Sequence, residues 1–185
     1  LFAGDTETVA GVNPDTNFAV VDSAMINFDT GGPIAGNIAG LTFAEQEGSF
    51  LVGAAAALKT GVDKIGFIGG VCCYGGIEPF EAGFIAGAKA VNPNIEILSQ
   101  YVTEAPDFDG FNAPDRGKEI ALAMYEDGAD IVYQAAGGTG AGVFQAAAEH
   151  SDSEGSKVWA IGVDSDQYLV VDDDLKPHLL SSMMK

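Results

Sequence analysis

Short apolar runs alternate along this chain with longer stretches in which apolar residues recur every three or four positions. The runs are 17–22 (NFAVVD), 64–70 (KIGFIGG), 95–102, 130–134 and 157–163. Each is strand-length and is bounded by Gly, Pro, Asn or Asp. The run at 95–102 alternates Ile95, Ile97 and Tyr101 with polar neighbours. Between the runs, 44–59 predicts a helix, with Glu45 and Glu47 in its first turn favouring the helix dipole. The segment 79–91 predicts another, with Phe80, Phe84 and Ala88 on one face, and Asn92-Pro93-Asn94 stops it. Two further helices are expected over 115–127 and 140–150. Ahead of these, Asn13-Pro14-Asp15 is a turn, and 30–40 is a glycine-rich loop that leads into an extended stretch at 37–43. From Ala44 onward helix and strand alternate without a break. That order implies an α/β fold with right-handed crossovers and a parallel sheet covered by helices on both faces.

The ends of the last two strands carry the candidate chemistry. In YQAAGGTGAG, residues 133–142, an apolar run stops at glycines, and a helix begins at about Gly140. Gly137 and Gly138 let the backbone approach a bound molecule closely, or serve only a tight turn. In VWAIGVDSDQ, residues 158–167, the run stops at Asp164 and Asp166, where carboxylates can accept hydrogen bonds from hydroxyls. Two such strand ends side by side describe a small-molecule crevice.

Composition narrows the function. The chain has 185 residues with 8 Lys and Arg against 27 Asp and Glu, a formal net charge of −19. Such a surface repels phosphate backbones, so nucleic acid is excluded as a partner. Adjacent Cys72 and Cys73 do not staple distant segments and are expected as two buried small residues after a strand. His150 and His178 lack metal-like spacing and are expected at the surface. No nucleophile–base order, P-loop or GxGxxG pattern marks an enzyme, and no cofactor or metal is expected. The longest apolar stretch, 50–58, is too short to span a bilayer. Leu1 is not a natural start and the chain opens in mid-element, which points to a piece of a longer protein.

Several blocks together carry a family resemblance. FAEQEGSFLVGAAAALKT, KIGFIGG, PFEAGFIAGAKAVNPNIEIL, GKEIALAMYEDGADIVYQAAGGTGAGVFQAA and VWAIGVDSDQY stand in order between about Phe18 and Lys185. They resemble the Bmp ("basic membrane protein") substrate-binding lipoproteins of ABC transporters, whose best-known members bind purine nucleosides. The resemblance implies a type I periplasmic-binding-protein fold with the ligand clamped between two lobes. On that template 1–40 is the incomplete end of the N-terminal lobe, 41–168 is the C-terminal lobe, and 169–185 is the return crossing. It further implies a nucleoside ligand, ABC permease partners, an extracytoplasmic location and a lipid anchor outside this segment.

Read residue by residue, the resemblance makes Asp164 the acid that binds ribose hydroxyls, against the duller role of a helix cap or turn residue. Asp22, ending its own strand, faces the cleft on the same template, with an Asx-turn as the competing role. Phe80, nearest the helix start, is the candidate for stacking on a base, while Phe84 belongs to the core. Lys185 corresponds to a lysine that reaches the ligand, against the ordinary fate of a solvated terminal lysine. Asp166 stands evenly between ligand contact and turn cap. A ligand-sensing domain of a regulator or receptor, or a binder of another small polar solute, is the alternative with the same fold.

Overall fold

The computed structural model of the chain describes residues 3–27 and 30–185, which form two compact units, Leu1–Ala44 and Glu45–Lys185. The division falls four residues beyond the expected boundary at Gly40.

In the first unit, helix α1 (Ala3–Val12) precedes two short parallel strands, β1 (Phe18–Val21) and β2 (Ile38–Leu41). Ala10, Met25 and Ile38 form its small core. The Asn37 side-chain amide donates to the carbonyls of Ala10, Asn13 and Thr16 at 3.0–3.2 Å. One polar side chain thereby ties helix, turn and strand together. The stretch expected as extended over 37–43 is β2, shorter at both ends.

The second unit repeats helix and strand: α2 (Glu45–Lys59), β3 (Lys64–Cys72), α3 (Glu78–Val91), β4 (Glu96–Glu104), α4 (Pro114–Glu126), β5 (Ile131–Ala135), α5 (Gly140–Glu154) and β6 (Trp159–Asp164), followed by β7 (Leu179–Met184). The sheet runs β4-β3-β5-β6-β7, with every neighbouring pair parallel. Helices cover both faces, as a parallel sheet requires. One core layer joins Val52 and Ala56 of α2 and Phe80, Phe84 and Ala88 of α3 to Phe67, Tyr133 and Ile161 of the sheet. The other joins Ala121, Met124 and Tyr125 of α4 and Val143, Phe144 and Ala147 of α5 to Ile68, Val132 and Ala160. Every residue of β5 is buried, which explains its unbroken apolar run.

Glycine sets how closely α2 and α3 approach. A Cβ on Gly53 would lie 2.1 Å from the carbonyl oxygen of Phe84, and one on Gly87 would lie 1.9 Å from that of Phe50. The backbones therefore meet where any side chain would hold them apart.

Four sequence expectations change. Strand β3 runs two residues past Gly70, so Cys72 lies inside the strand and half-buried, and Cys73 is exposed. Helix α5 continues to Glu154 and ends at Gly155, whose φ of 65 supplies a left-handed cap. His178 is buried, 8% exposed, with its Nδ1 3.3 Å from Lys157 Nζ. Burial and the Lys157 charge hold its pKa below the ordinary histidine value. Residues 179–184, within the stretch expected as a return crossing, form the edge strand β7 of this same sheet.

Candidate functional site

The C-terminal ends of the parallel strands define the edge where ligands bind in such sheets. Asp164, last in β6, has a φ of 69, a left-handed conformation that Asp tolerates better than most residues. The bend leaves its side chain 53% exposed. Lys185, just past β7, meets it twice: its backbone N–H donates to the Asp164 carbonyl at 3.2 Å, and its Nζ lies 3.2 Å from Asp164 Oδ1. The Lys185 side chain is only 13% exposed, although the residue as a whole is open to solvent. Its ammonium sits 5.2 Å from the centroid of the Phe80 ring.

Three residues singled out from sequence thus come together: Asp164, Lys185 and Phe80. Phe80 is 3% exposed, however, and belongs to the core layer under α3. Phe84 is fully buried, as expected.

Gly137 and Gly138 lie at the end of the adjoining strand, β5, in a single 3₁₀ turn that leads into α5. Gly137 needs its glycine for a φ of 56. Both are exposed and help line a hollow of about 320 Å³, together with Gln145, Gln167 and Asp172. The turn between the two strand ends is fixed from below by buried polar side chains. Thr139 Oγ1 donates to Gly110 O at 2.7 Å and accepts from Ala113 N at 2.8 Å. Gln134, fully buried in β5, accepts from Ala136 N at 3.0 Å and donates to Gln167 Oε1 at 3.1 Å. Gln167 N in turn donates to Ser182 Oγ of β7 at 3.1 Å. Asp166 accepts from Tyr168 N at 3.2 Å, the turn-capping role.

Deeper in β5, the Tyr133 hydroxyl hydrogen-bonds Ser49 of α2 at 3.1 Å. Burial raises the phenol's pKa; the bond to Ser49 works against that rise, and the nearby Asp164 charge adds to it. This tyrosine is neutral at any physiological pH.

Asp22 belongs to the first unit. It follows β1 with a φ of 65, and its N–H donates to Leu41 O at 2.8 Å.

The sequence reading missed an aromatic corner on the same edge of the second unit. Phe111, half-buried in the loop after β4, lies over the ends of β3 and β5. A Cβ on Gly70 would fall 2.4 Å from its ring, and a Cβ on Gly137 or Gly138 would fall 3.3 Å from its carbonyl oxygen. Tyr74 meets it edge-on at 6.4 Å and meets Phe108 at 5.3 Å. Tyr74 and Phe108 are 37% and 43% exposed. The available signal was an aromatic pair, FDGF, inside an otherwise acidic loop following a strand.

Carboxylate and ammonium at one strand end, a glycine turn at the next and aromatic rings at the third suit a small ligand with hydroxyls and a planar part. Among the described residues, no cluster of three or more His, Cys, Asp or Glu is arranged to hold a metal. No described helix is long and apolar enough to cross a membrane.

The family described as "ABC transporter substrate-binding protein PnrA-like" (Bmp) matches residues 2–185. The CD4+ T-cell-stimulating antigen of Listeria innocua is 43% identical over 164 residues, covering 88% of this chain and 42% of that protein. The ABC transporter nucleoside-binding protein BmpA of Lactococcus lactis is also 43% identical over 164 residues, covering 88% of this chain and 43% of its own length. The chain therefore spans less than half the length of these relatives. Among solved structures, an ABC transporter solute-binding protein from Aeropyrum pernix superposes with a TM-score of 0.70 at 25% identity, over 89% of this chain and 44% of that one.

Proposed function

The chain belongs to the Bmp family of PnrA-like ABC-transporter substrate-binding proteins, and from that premise we propose that it is part of an extracytoplasmic binding component that delivers a nucleoside to an ABC importer. The observation that carries the reading is the exposed Asp164 carboxylate, bent out of the end of β6 and held beside Lys185 Nζ at 3.2 Å. A carboxylate accepts two vicinal hydroxyls through charge-assisted bonds, and the ammonium donates to an acceptor on the same ligand. The glycine turn at Gly137 and Gly138 leaves room for the sugar. The corner made by Phe111, Tyr74 and Phe108 supplies the apolar face for a base, a role for which Phe80, at 3% exposure, is poorly disposed. The family template also makes Asp22, in the first unit, a proposed ligand contact. A relative named for nucleoside binding, 43% identical, supports the ligand class.

In this reading the protein binds and releases its solute unchanged, without catalysis. Ligand binding closes two lobes by a hinge motion, and the closed form engages the permease subunits. A lipid anchor outside this segment holds the protein at the membrane. The full-length protein, purified without denaturation, is expected to carry a nucleoside detectable by mass spectrometry of the released small molecules. After that ligand is stripped, calorimetric titration should show nucleosides binding far more tightly than ribose or free bases. A different copurified solute, or nucleosides no better than ribose, would overturn the assignment.

A further inference from the structure

A fully buried amide, Gln134, stands in β5 where every other residue is apolar or aromatic. An apolar side chain of similar size would pack there with no polar group to desolvate, so packing alone does not account for the amide. Its hydrogen bonds do. Oε1 accepts from Ala136 N at 3.0 Å, just ahead of the glycine turn. Because that N–H can only donate, the orientation of the amide is set, and Nε2 is left to donate to Gln167 Oε1 at 3.1 Å. Two glycines leave the space for this contact. A Cβ on Gly140 would lie 2.4 Å from the Gln134 amide carbon, and one on Gly162 of β6 would lie 2.8 Å from both Gln167 Oε1 and Ser182 Oγ.

Gln167 is the half-buried residue of the otherwise exposed stretch 164–170. Three of its groups are held. The side chain meets β5, the N–H donates to Ser182 Oγ of β7 at 3.1 Å, and the carbonyl accepts from Val170 N and Val171 N at 3.1 and 3.0 Å. Strands β5 and β7 are the two neighbours of β6, so Gln167 bridges the strands on either side of the one that ends in Asp164. Asp164 itself is left-handed, a conformation that a residue other than glycine gives up when nothing restrains it. An anchor three residues further on keeps the turn from relaxing.

We propose that the Gln134–Gln167 amide pair positions the Asp164 carboxylate, by fixing the acid-bearing loop after β6 against the glycine turn after β5. The inference rests on the sugar-reading role proposed for Asp164. Gln134 and Gln167 are positioning residues, which act on the ligand only through that carboxylate.

The test titrates adenosine and adenine by calorimetry against the full-length protein, Gln167→Met, Asp164→Asn and the double variant. Met matches the volume of Gln and removes the acceptor for Gln134. Gln167→Met should weaken adenosine binding about five- to tenfold and leave adenine binding unchanged. In the Asp164→Asn background the same change should cost adenosine less than about twofold, because the group it acts through is gone. A general loss of structure, or a direct contact between Gln167 and the ligand, would lower affinity equally in both backgrounds. Ser182→Ala removes the acceptor for Gln167 N; it should repeat the pattern more weakly, and it carries the comparison if Gln167→Met does not fold. Losses shared by adenosine and adenine, no loss for either, or equal losses in the two backgrounds would overturn the proposal. If Asp164→Asn alone leaves the preference for adenosine over adenine intact, the sugar-reading role itself fails, and this inference fails with it.

Discussion

Replacing Asp164 by Asn separates the two jobs that this residue performs. The backbone needs a residue that tolerates a φ of 69, and Asn tolerates the left-handed region as well as Asp does. The ion pair with Lys185 is lost, but at 3.2 Å and with the Asp164 side chain 53% exposed it is a surface pair. Such pairs contribute about 0–1 kcal/mol. Folding stability should therefore fall by no more than about 1 kcal/mol. Binding should respond differently. Hydrogen bonds from ribose hydroxyls to a charged acceptor contribute roughly 1.5–3 kcal/mol, so nucleoside affinity of the full-length protein should fall by about ten- to a hundredfold. A free base has no hydroxyls to present and should bind the variant as it binds the parent. The assay is calorimetric titration of nucleoside and base against both proteins, with urea unfolding alongside. Equal losses for base and nucleoside, or a stability loss of several kcal/mol with affinity unchanged, would refute the sugar-reading role.

Gly53→Ala should destabilise the second unit by about 1–3 kcal/mol despite its better helix propensity, because the new methyl meets the Phe84 backbone 2.1 Å away. Gly48→Ala, on the same helix, meets the Met183 side chain at 2.7 Å but no backbone atom closer than Met184 O at 3.7 Å, and should cost less; urea midpoints that rank the two the other way would refute the helix-contact argument. His178 is held neutral by burial and then by Lys157, so it takes up a proton more readily unfolded than folded. Its stabilising contribution is thus complete above the unfolded pKa of about 6.5 and is lost as the pH falls from there through the lower folded value. Proton NMR should find its folded titration midpoint below that of the urea-unfolded chain, and coincident midpoints would contradict the burial.

Strands β3, β5 and β6 were readable because a strand buried on both faces must be apolar at nearly every position. Strand β7 was not, for the opposite reason. It is the edge strand, and its sequence, LLSSMM, puts Ser181 in solvent and uses Ser182 Oγ to accept from Gln167 N. Only Leu179 and Met183 are buried, too few to write a period. Helix α1 was illegible for a similar reason: it contains Gly4 and Gly11, and among its described side chains only Ala10 joins the core of its unit. The strand-end acids stood out by position, since a carboxylate directly after an apolar run has few structural uses. Phe111 did not, because an aromatic in an acidic loop acquires meaning only when folding brings that loop over Gly70 and Gly137. Helical spacing put Phe80 on the core face, where it is found. Its proximity to Lys185 rests on a contact between α3 and the chain beyond β7, which no local pattern encodes.

The same device occurs in each unit. Strand β1 ends at Val21 and turns through Asp22 at a φ of 65; strand β6 ends at Asp164 with a φ of 69. Left-handed backbone at a residue other than glycine costs free energy, and Asp and Asn bear that cost best because their short polar side chains can bond locally. Backbone conformation alone therefore accounts for a residue of the Asp/Asn type at both positions, and an Asx-turn role would be served equally by either. What it does not account for is the negative charge. In a chain with a formal net charge of −19, each additional carboxylate adds to self-repulsion, and Asn would relieve it at no conformational cost. At Asp164 that charge is exposed at a strand end beside the Lys185 ammonium, where a hydroxyl-bearing ligand would use it.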